Sequence, residues 1–288
     1  MSGKPTVAIV GAGSLAASLA VALHEAGFKI TEIVARDSPA SRRRTRSLAG
    51  KVRAKVVTAN SSALDATLLW FCVPDREIHS AASELALRAS AQKKNHLRFA
   101  FHSSGALLSR ELNPLREAGA AVASVHPLMT FVAKANPSLR GVPFAIEGDK
   151  AAKRVARRIV RELGGQSFSL PPARKAAYHA WATLTSPLLL AFLVTLEEAA
   201  RAAGLAPKDA RRKSLPIIMQ TLANYSRLGP AQSFSGPLIR GDALTVAKHL
   251  AVLKKLPGVR QVYSALAQAA LRRLPVKNRR ELKRLLQN

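Results

Sequence analysis

The chain has 288 residues, 48% of them apolar, which excludes a disordered protein and gives length enough for one large domain or two ordinary ones. Its single cysteine, Cys72, excludes an internal disulfide and fits a reducing cytoplasm, and "MSGKPTVAIV" carries no apolar signal segment. The net charge of +28 raises nucleic acid as a partner, but the basic residues mostly alternate with apolar ones at helical spacing and aromatics are only 5%, so a solvated basic surface is the better reading and nucleic acid is not expected.

The first strand is expected at Val7–Val10, followed by a turn, Gly11 to Ala16, and a helix to Gly27 with Leu15, Leu19 and Leu23 on one face. Gly11, Gly13 and Ala16 have the spacing of a dinucleotide fingerprint. The first glycine serves the tight turn, the second lets backbone approach a pyrophosphate, and the third small residue lets helix and strand pack closely. The helix start at Ser14 and Leu15 then offers free N–H groups to phosphate. The plain alternative is a tight turn that holds nothing.

A second strand, Ile30–Val34, ends in "ARDSPASRRR". An acid at this place favours NAD, whereas nearby arginine suits a 2′-phosphate. Arg36, Ser38, Arg42 and Arg43 against the lone Asp37 therefore favour NADP over NAD, with general basicity as the rival account. Further strands are expected at Leu68–Val73, Leu97–Phe101, Val122–Val125, Val142–Gly148 and Gln166–Leu170, with a basic amphipathic helix at Lys150–Leu163. Such alternation predicts an α/β domain with a mostly parallel sheet.

Ligands of open parallel sheets bind beyond the carboxyl ends of the strands. Here those ends carry Val73 and Pro74, then His102, Ser103 and Ser104, then His126. Val73, Pro74, Ser103 and Ser104 join Gly11, Gly13, Ser14, Leu15, Arg36, Ser38 and Arg42 as candidate cofactor contacts. His126 is the first candidate for proton transfer, with His102 as a second polar group. The seven histidines show no metal-ligand spacing, so no metal is expected.

At "LPPARK" strand signals fade, which places the boundary near residue 170: a Rossmann-like domain over 1–170 and an all-helical domain over 171–288. Helices are expected at Ala176–Ala203, Lys208–Leu228, Asp242–Leu256, Gly258–Arg273 and Asn278–Leu286. The stretch Ala176–Leu196 lacks Asp, Glu, Lys and Arg, but its His, Ser, Pro and Thr make it a buried central helix in expectation rather than a membrane span. Tyr178 and His179 begin it and are candidate catalytic groups. Ser186, Arg240 and Asp242 are candidate substrate contacts. Arg240 suits a carboxylate, while Asp242 also reads as a helix cap.

Several segments carry a resemblance: "HSSGALLSRELNPLREAGAAVASVHPLMTF", "GVPFAIEGD", "AAYHAWATLTSP" and "SFSGPLIRGDALTVAKHL". From Thr6 to about Leu266 the chain resembles bacterial Rossmann-like proteins with a C-terminal helical domain of unknown function. More distantly it looks like pyrroline carboxylate reductase, ketopantoate reductase and hydroxyisobutyrate dehydrogenase. The resemblance implies a nicotinamide-dependent reductase whose helical domain closes the site and pairs subunits as a homodimer. The small-molecule substrate is not implied. One departure stands out: after Tyr-His the family usually has Ser-Asn, and this chain has Ser186–Pro187, which removes a side-chain amide and a backbone N–H and predicts a kink. A non-catalytic NADP-binding or sensing protein is the alternative that this departure raises.

Overall fold

The computed structural model describes residues 3–36, 38–91, 96–133, 135 and 137–287. Asp37, the acid weighed in the cofactor argument, lies outside them. The strands are β1 (Val7–Val10), β2 (Ile30–Ala35), β3 (Lys55–Thr58), β4 (Leu68–Phe71), β5 (Phe99–His102), β6 (Ala121–Pro127), β7 (Pro143–Gly148) and β8 (Gln166–Ser169). They form an eight-stranded sheet in the order β3-β2-β1-β4-β5-β6-β7-β8. β1 to β6 run parallel, β7 is antiparallel to β6, and β8 is parallel to β7. The first six strands have the doubly wound order, so the chain reverses its direction across the sheet between β1 and β4, where such sheets open a crevice.

The helices of this part are α1 (Ser14–Glu25), α2 (Pro39–Val52), α3 (Asp75–Ala91), α4 (Asn113–Glu117), α5 (Lys150–Glu162) and α6 (Lys175–Thr185). α1 turns Ala16, Leu19, Ala20 and Leu23 onto the sheet. α5 buries Ala152, Ala156, Ile159 and Val160 and leaves its Lys and Arg outside, as an amphipathic pattern requires. Val7 and Ile9 of β1 point into the core beneath α1, α2 and α5, whereas Ala8 and Val10 point into the core beneath α3 and α4. Alternation along a strand buried on both sides produces these two layers.

Two elements beside the glycine turn are not singled out by the sequence. β3, "KVVT", is a four-residue edge strand with an exposed start, too short and too polar on its flanks to stand out. α2 follows "DSPASRRR"; Ser38 caps it, its hydroxyl accepting the Ser41 N–H at 3.3 Å, and Pro39 opens it.

The remaining helices are α7 (Pro187–Arg201), α8 (Pro207–Ser233), α9 (Pro237–Arg240), α10 (Ala243–Leu253), α11 (Pro257–Arg273) and α12 (Arg279–Gln287). The chain divides into two compact units, Met1–Thr183 and Leu184–Asn288, so the first includes most of α6 although strands end before residue 170. The expected single helix Ala176–Ala203 is broken: Ser186 has φ −125° and ψ −75°, and Pro187 starts α7. Its expected burial is also corrected. Trp181, Leu184, Leu188, Leu189, Leu190 and Val194 are exposed, and α7 contains no buried residue. The second unit's core is instead Val246 and Leu250 of α10, Ala267 and Ala270 of α11, and Leu282 and Leu286 of α12, with Val276.

Candidate active site

β1 is followed by Gly11, whose φ of +106° is a conformation that L side chains rarely adopt. A Cβ there would stand 2.6 Å from the Cys72 carbonyl oxygen and 3.0 Å from Val73 Cγ1. Gly11 is therefore required by the turn itself. Gly13 differs: it is the N-cap of α1, with φ −77° and ψ −177°, and a Cβ there would meet nothing within 4 Å. No side chain caps the helix start, which leaves its first N–H groups to a ligand or to water. Ala16 is fully buried, as the third position of the fingerprint requires.

A cleft of about 590 Å³ opens over this turn. Gly11 and Gly13, Arg36, Val73 and Pro74 line it, as the sequence predicts. Arg44 of α2, Thr58 at the end of β3, Asn60 just beyond it, and Glu77 and Glu84 of α3 line it too, and the sequence did not point to them. Ser14, Leu15, Ser38 and Arg42 are not among its lining residues. Ser38 is spent on capping α2.

A second cluster lies at the ends of β5 and β6. His102 is fully buried. Its Nδ1 accepts the Ser104 N–H at 3.1 Å, so Nε2 carries the proton and donates to the Leu108 carbonyl at 3.0 Å. Burial lowers its pKa to about 4. The expectation that His102 acts in chemistry is corrected: both nitrogens hold the loop that follows β5. Ser103 and Ser104 are occupied similarly. Ser103 Oγ accepts Trp70 Nε1–H at 2.9 Å, and Ser104 Oγ accepts the Ala106 and Leu107 N–H groups at 3.1 and 2.9 Å. As acceptors they fix the turn that follows β5.

His126 stands differently. It is half-buried, its Nδ1 lies 2.6 Å from the Tyr178 hydroxyl, and the two rings meet edge to face at 5.5 Å. His179 stands 6.4 Å away, centroid to centroid, also edge-on. Gly105 makes room for both: a Cβ there would meet His179 Cδ2 at 2.7 Å and His126 Nε2 at 2.8 Å. The three residues expected from sequence, His126, Tyr178 and His179, are thus brought together. Burial, then the charge of Lys175, then His179 lower the His126 pKa to about 4, and burial raises that of Tyr178 to about 12. His126, the first candidate for proton transfer, is therefore a neutral imidazole near neutral pH, and Tyr178 is neutral there as well.

The charge in the cluster belongs to Lys175, which the sequence reading passed over. It is 2% exposed, and its ammonium donates to Ser124 Oγ, which in turn donates to the Ser104 carbonyl at 3.1 Å. Burial lowers its pKa to about 8, against the raising effect of Glu147 and Asp75. Glu147, beside Ser124 across the sheet, is itself buried and accepts Ser109 Oγ–H at 2.9 Å. A signal was available: Lys175, Tyr178 and His179 fall three and four apart on one helical face.

Ser186, Arg240 and Asp242 all belong to the second unit. Ser186 precedes α7 without a side-chain capping bond. Arg240 is exposed at the end of α9. Asp242 caps α10, accepting the Thr245 N–H at 3.0 Å and the Thr245 hydroxyl at 2.7 Å. Its carboxylate is occupied by the cap that the sequence also allowed. Among the described residues no group of three or more His, Cys, Asp or Glu is placed to hold a metal.

Sheet order, glycine turn and cleft define a Rossmann-like domain followed by a helical region. Two family models match: the Rossmann-like domain over residues 2–127, and the domain of unknown function DUF2520 over residues 142–270. The chain therefore combines a Rossmann-like domain with a DUF2520 domain, as the resemblance implied. None of the curated proteins matches the sequence. Among solved structures, a candidate NADP oxidoreductase from Bacteroides fragilis is 22% identical, over 92% of this chain and 97% of that one, with a TM-score of 0.74. A pyrroline-5-carboxylate reductase from Coxiella burnetii is 15% identical over 98% and 99%, with a TM-score of 0.60. A reductive aminase from Aspergillus terreus, solved with NADPH and ethyl-5-oxohexanoate, is 16% identical over 93% and 94%, with a TM-score of 0.64. These likenesses are of fold.

Proposed function

We propose that the chain is an NADP-dependent oxidoreductase that reduces the carbonyl or imine of a small, carboxylate-bearing metabolite. The observation that carries this reading is the contrast within the turn: Gly11 is forced by the backbone, whereas Gly13 opens an uncapped helix start onto a cleft of about 590 Å³. The cleft residues fit a dinucleotide, with the α1 N-terminus for the pyrophosphate and Arg36 and Arg44 for a 2′-phosphate. NADPH, when bound, supplies hydride.

The chain's own residues handle the proton. With Tyr178 donating to Nδ1, His126 carries its proton on Nε2, the atom that faces Gly105. As the substrate oxygen or nitrogen gains electrons, His126 gives up the Nε2 proton and takes one at Nδ1 from Tyr178, which solvent then reprotonates. The imidazole is neutral before and after, which suits its depressed pKa. Lys175 is a positioning residue. Its ammonium holds Ser124 and supplies positive potential to the cluster.

The test begins with calorimetric titration of NADPH and NADH into nucleic-acid-free protein, with Gly13→Asp as control. Binding that is lost in the control supports the site; binding of neither nucleotide refutes it. A screen of keto acids and imines follows, in which His126→Ala is expected to abolish turnover while nucleotide binding persists. The helix break at Ser186–Pro187 favours a second reading, a nucleotide-binding protein without catalysis. That reading predicts affinity with no hydride exchange toward any carbonyl or imine. We also propose a homodimer. Its support is the exposed apolar surface of α7 and α8, with Leu188, Leu189, Leu190, Val194, Ile217 and Met219, too extensive to leave in water.

A further inference from the structure

Among the described residues, the nucleotide cleft carries as many acids as bases. The cations lining it are Arg36 and Arg44, and the anions are Glu77 and Glu84. The sequence offered only Asp37 as an acid near the end of β2, because Glu77 arrives from α3, a different part of the chain. Arg36 Nη1 stands 2.8 Å from Glu77 Oε1, so the pair bridges the end of β2 and the first turn of α3. The carboxylate is the more enclosed partner, its side chain 21% exposed against 60% for the arginine. The guanidinium that the sequence assigns to a 2′-phosphate is therefore already held by an acid.

We propose that Glu77 sets the cofactor choice of this cleft by competing with the nucleotide for Arg36. The inference rests on the reading of the cleft as a dinucleotide site. A 2′-phosphate has to draw Arg36 away from Glu77, and it meets Glu77 as a like charge. A 2′-hydroxyl needs neither change and is able to donate to the carboxylate. Glu77 therefore acts against NADPH, Arg44 acts for it, and Arg36 serves the phosphate only when Glu77 releases it.

Glu77→Gln keeps the length of the side chain and removes its charge. NADPH and NADH are titrated calorimetrically into the wild type, Glu77→Gln and the double variant Glu77→Gln/Arg36→Ala, each checked for folding by thermal melting. The NADPH-to-NADH affinity ratio is expected to rise about three- to fivefold in Glu77→Gln, the worth of a half-exposed ion pair. It is expected to fall back to the wild-type ratio or below in the double variant. An unchanged or lowered ratio in Glu77→Gln overturns the proposal. A rise that survives Arg36→Ala at full size also overturns it, because the gain then comes from like-charge repulsion alone and does not pass through Arg36. A folded wild type that binds neither nucleotide overturns the dinucleotide reading and this inference with it; binding of both with an unmoved ratio strikes only the role of Glu77.

Discussion

Replacing Gly11 and Gly13 separately by alanine asks one question of two neighbouring glycines and expects opposite answers. At Gly11 an alanine must adopt φ +106°, and its Cβ would lie 2.6 Å from a backbone carbonyl oxygen that cannot rotate aside. The backbone conformation costs about 1–3 kcal/mol. Relieving the clash costs about 1–3 kcal/mol more, as overpacking does in a close-packed interior. The sum of about 2–6 kcal/mol is a large part of a typical domain's stability of about 5–15 kcal/mol. At Gly13 the added Cβ meets nothing, so only the weaker N-cap preference changes, about 1 kcal/mol or less. Urea unfolding should show a strongly lowered midpoint for Gly11→Ala and a nearly native one for Gly13→Ala. Nucleotide titration of the stable variant should then show weakened NADPH binding, because the methyl occupies the space that the pyrophosphate would approach. If Gly13→Ala binds NADPH as the wild type does, the open space at Gly13 is not a phosphate site. If Gly11→Ala unfolds at the wild-type midpoint, the steric account of the turn is wrong.

Acid should destabilise the fold through its buried histidines. Their pKa values of about 4 lie below the ordinary 6.5, so the unfolded chain binds protons first, and stability present above pH 6.5 is lost as pH falls toward 4. The loss is up to about 3 kcal/mol for the fully buried His102 and less for half-buried His126; a urea midpoint unchanged between pH 7 and 4.5 would refute it. For Lys175, activity should decline as pH rises through about 8, where its ammonium loses its proton. In Lys175→Met that limb should vanish along with most of kcat, and a limb that persists assigns it to another group. Sedimentation should give a dimer mass, and Leu190→Glu with Met219→Glu should give a monomer; a monomeric wild type removes the dimer from the account.

The parallel sheet was legible because its strands are buried on both faces. "TVAIV", "LLWFCV" and "AAVASV" are apolar runs closed by small or polar residues; β1 and β4 fall within the first two, and β6 starts in the third and continues to Pro127. β3 was not legible, since an edge strand needs only two apolar residues and borrows its order from β2. Half of the site was legible for a related reason. In parallel strands whatever follows the carboxyl end reaches the same edge, and this brought Gly11, Arg36, Pro74 and His126 forward. Ionisation states were not legible. His102 and His126 both look like exchangeable strand-end histidines, yet one spends both nitrogens on backbone and the other faces Tyr178. Lys175 is one of 45 basic residues until the fold buries it. Burial depends on contacts across the chain, and no local pattern encodes them.

The chain's charge and its chemistry lie in different places. The net charge of +28 reads as a solvated basic surface, and among its described residues the cleft indeed sets Arg36 and Arg44 against Glu77 and Glu84. The excess lies on solvated faces such as that of α5, where Lys153, Arg154, Arg157 and Arg161 stand outside the buried Ala152, Ala156 and Ile159. Exposed charge of this kind acts on solubility and encounter with anions and is screened within about 10 Å at ordinary salt. The Arg36–Glu77 pair and the Lys175 ammonium act over contact distances, where salt screens less. Preference between NADPH and NADH should therefore depend more on Arg36, Arg44 and Glu77 than on the total charge. The arginine count after β2, which first favoured NADP, carries weight only after Glu77 is set against it.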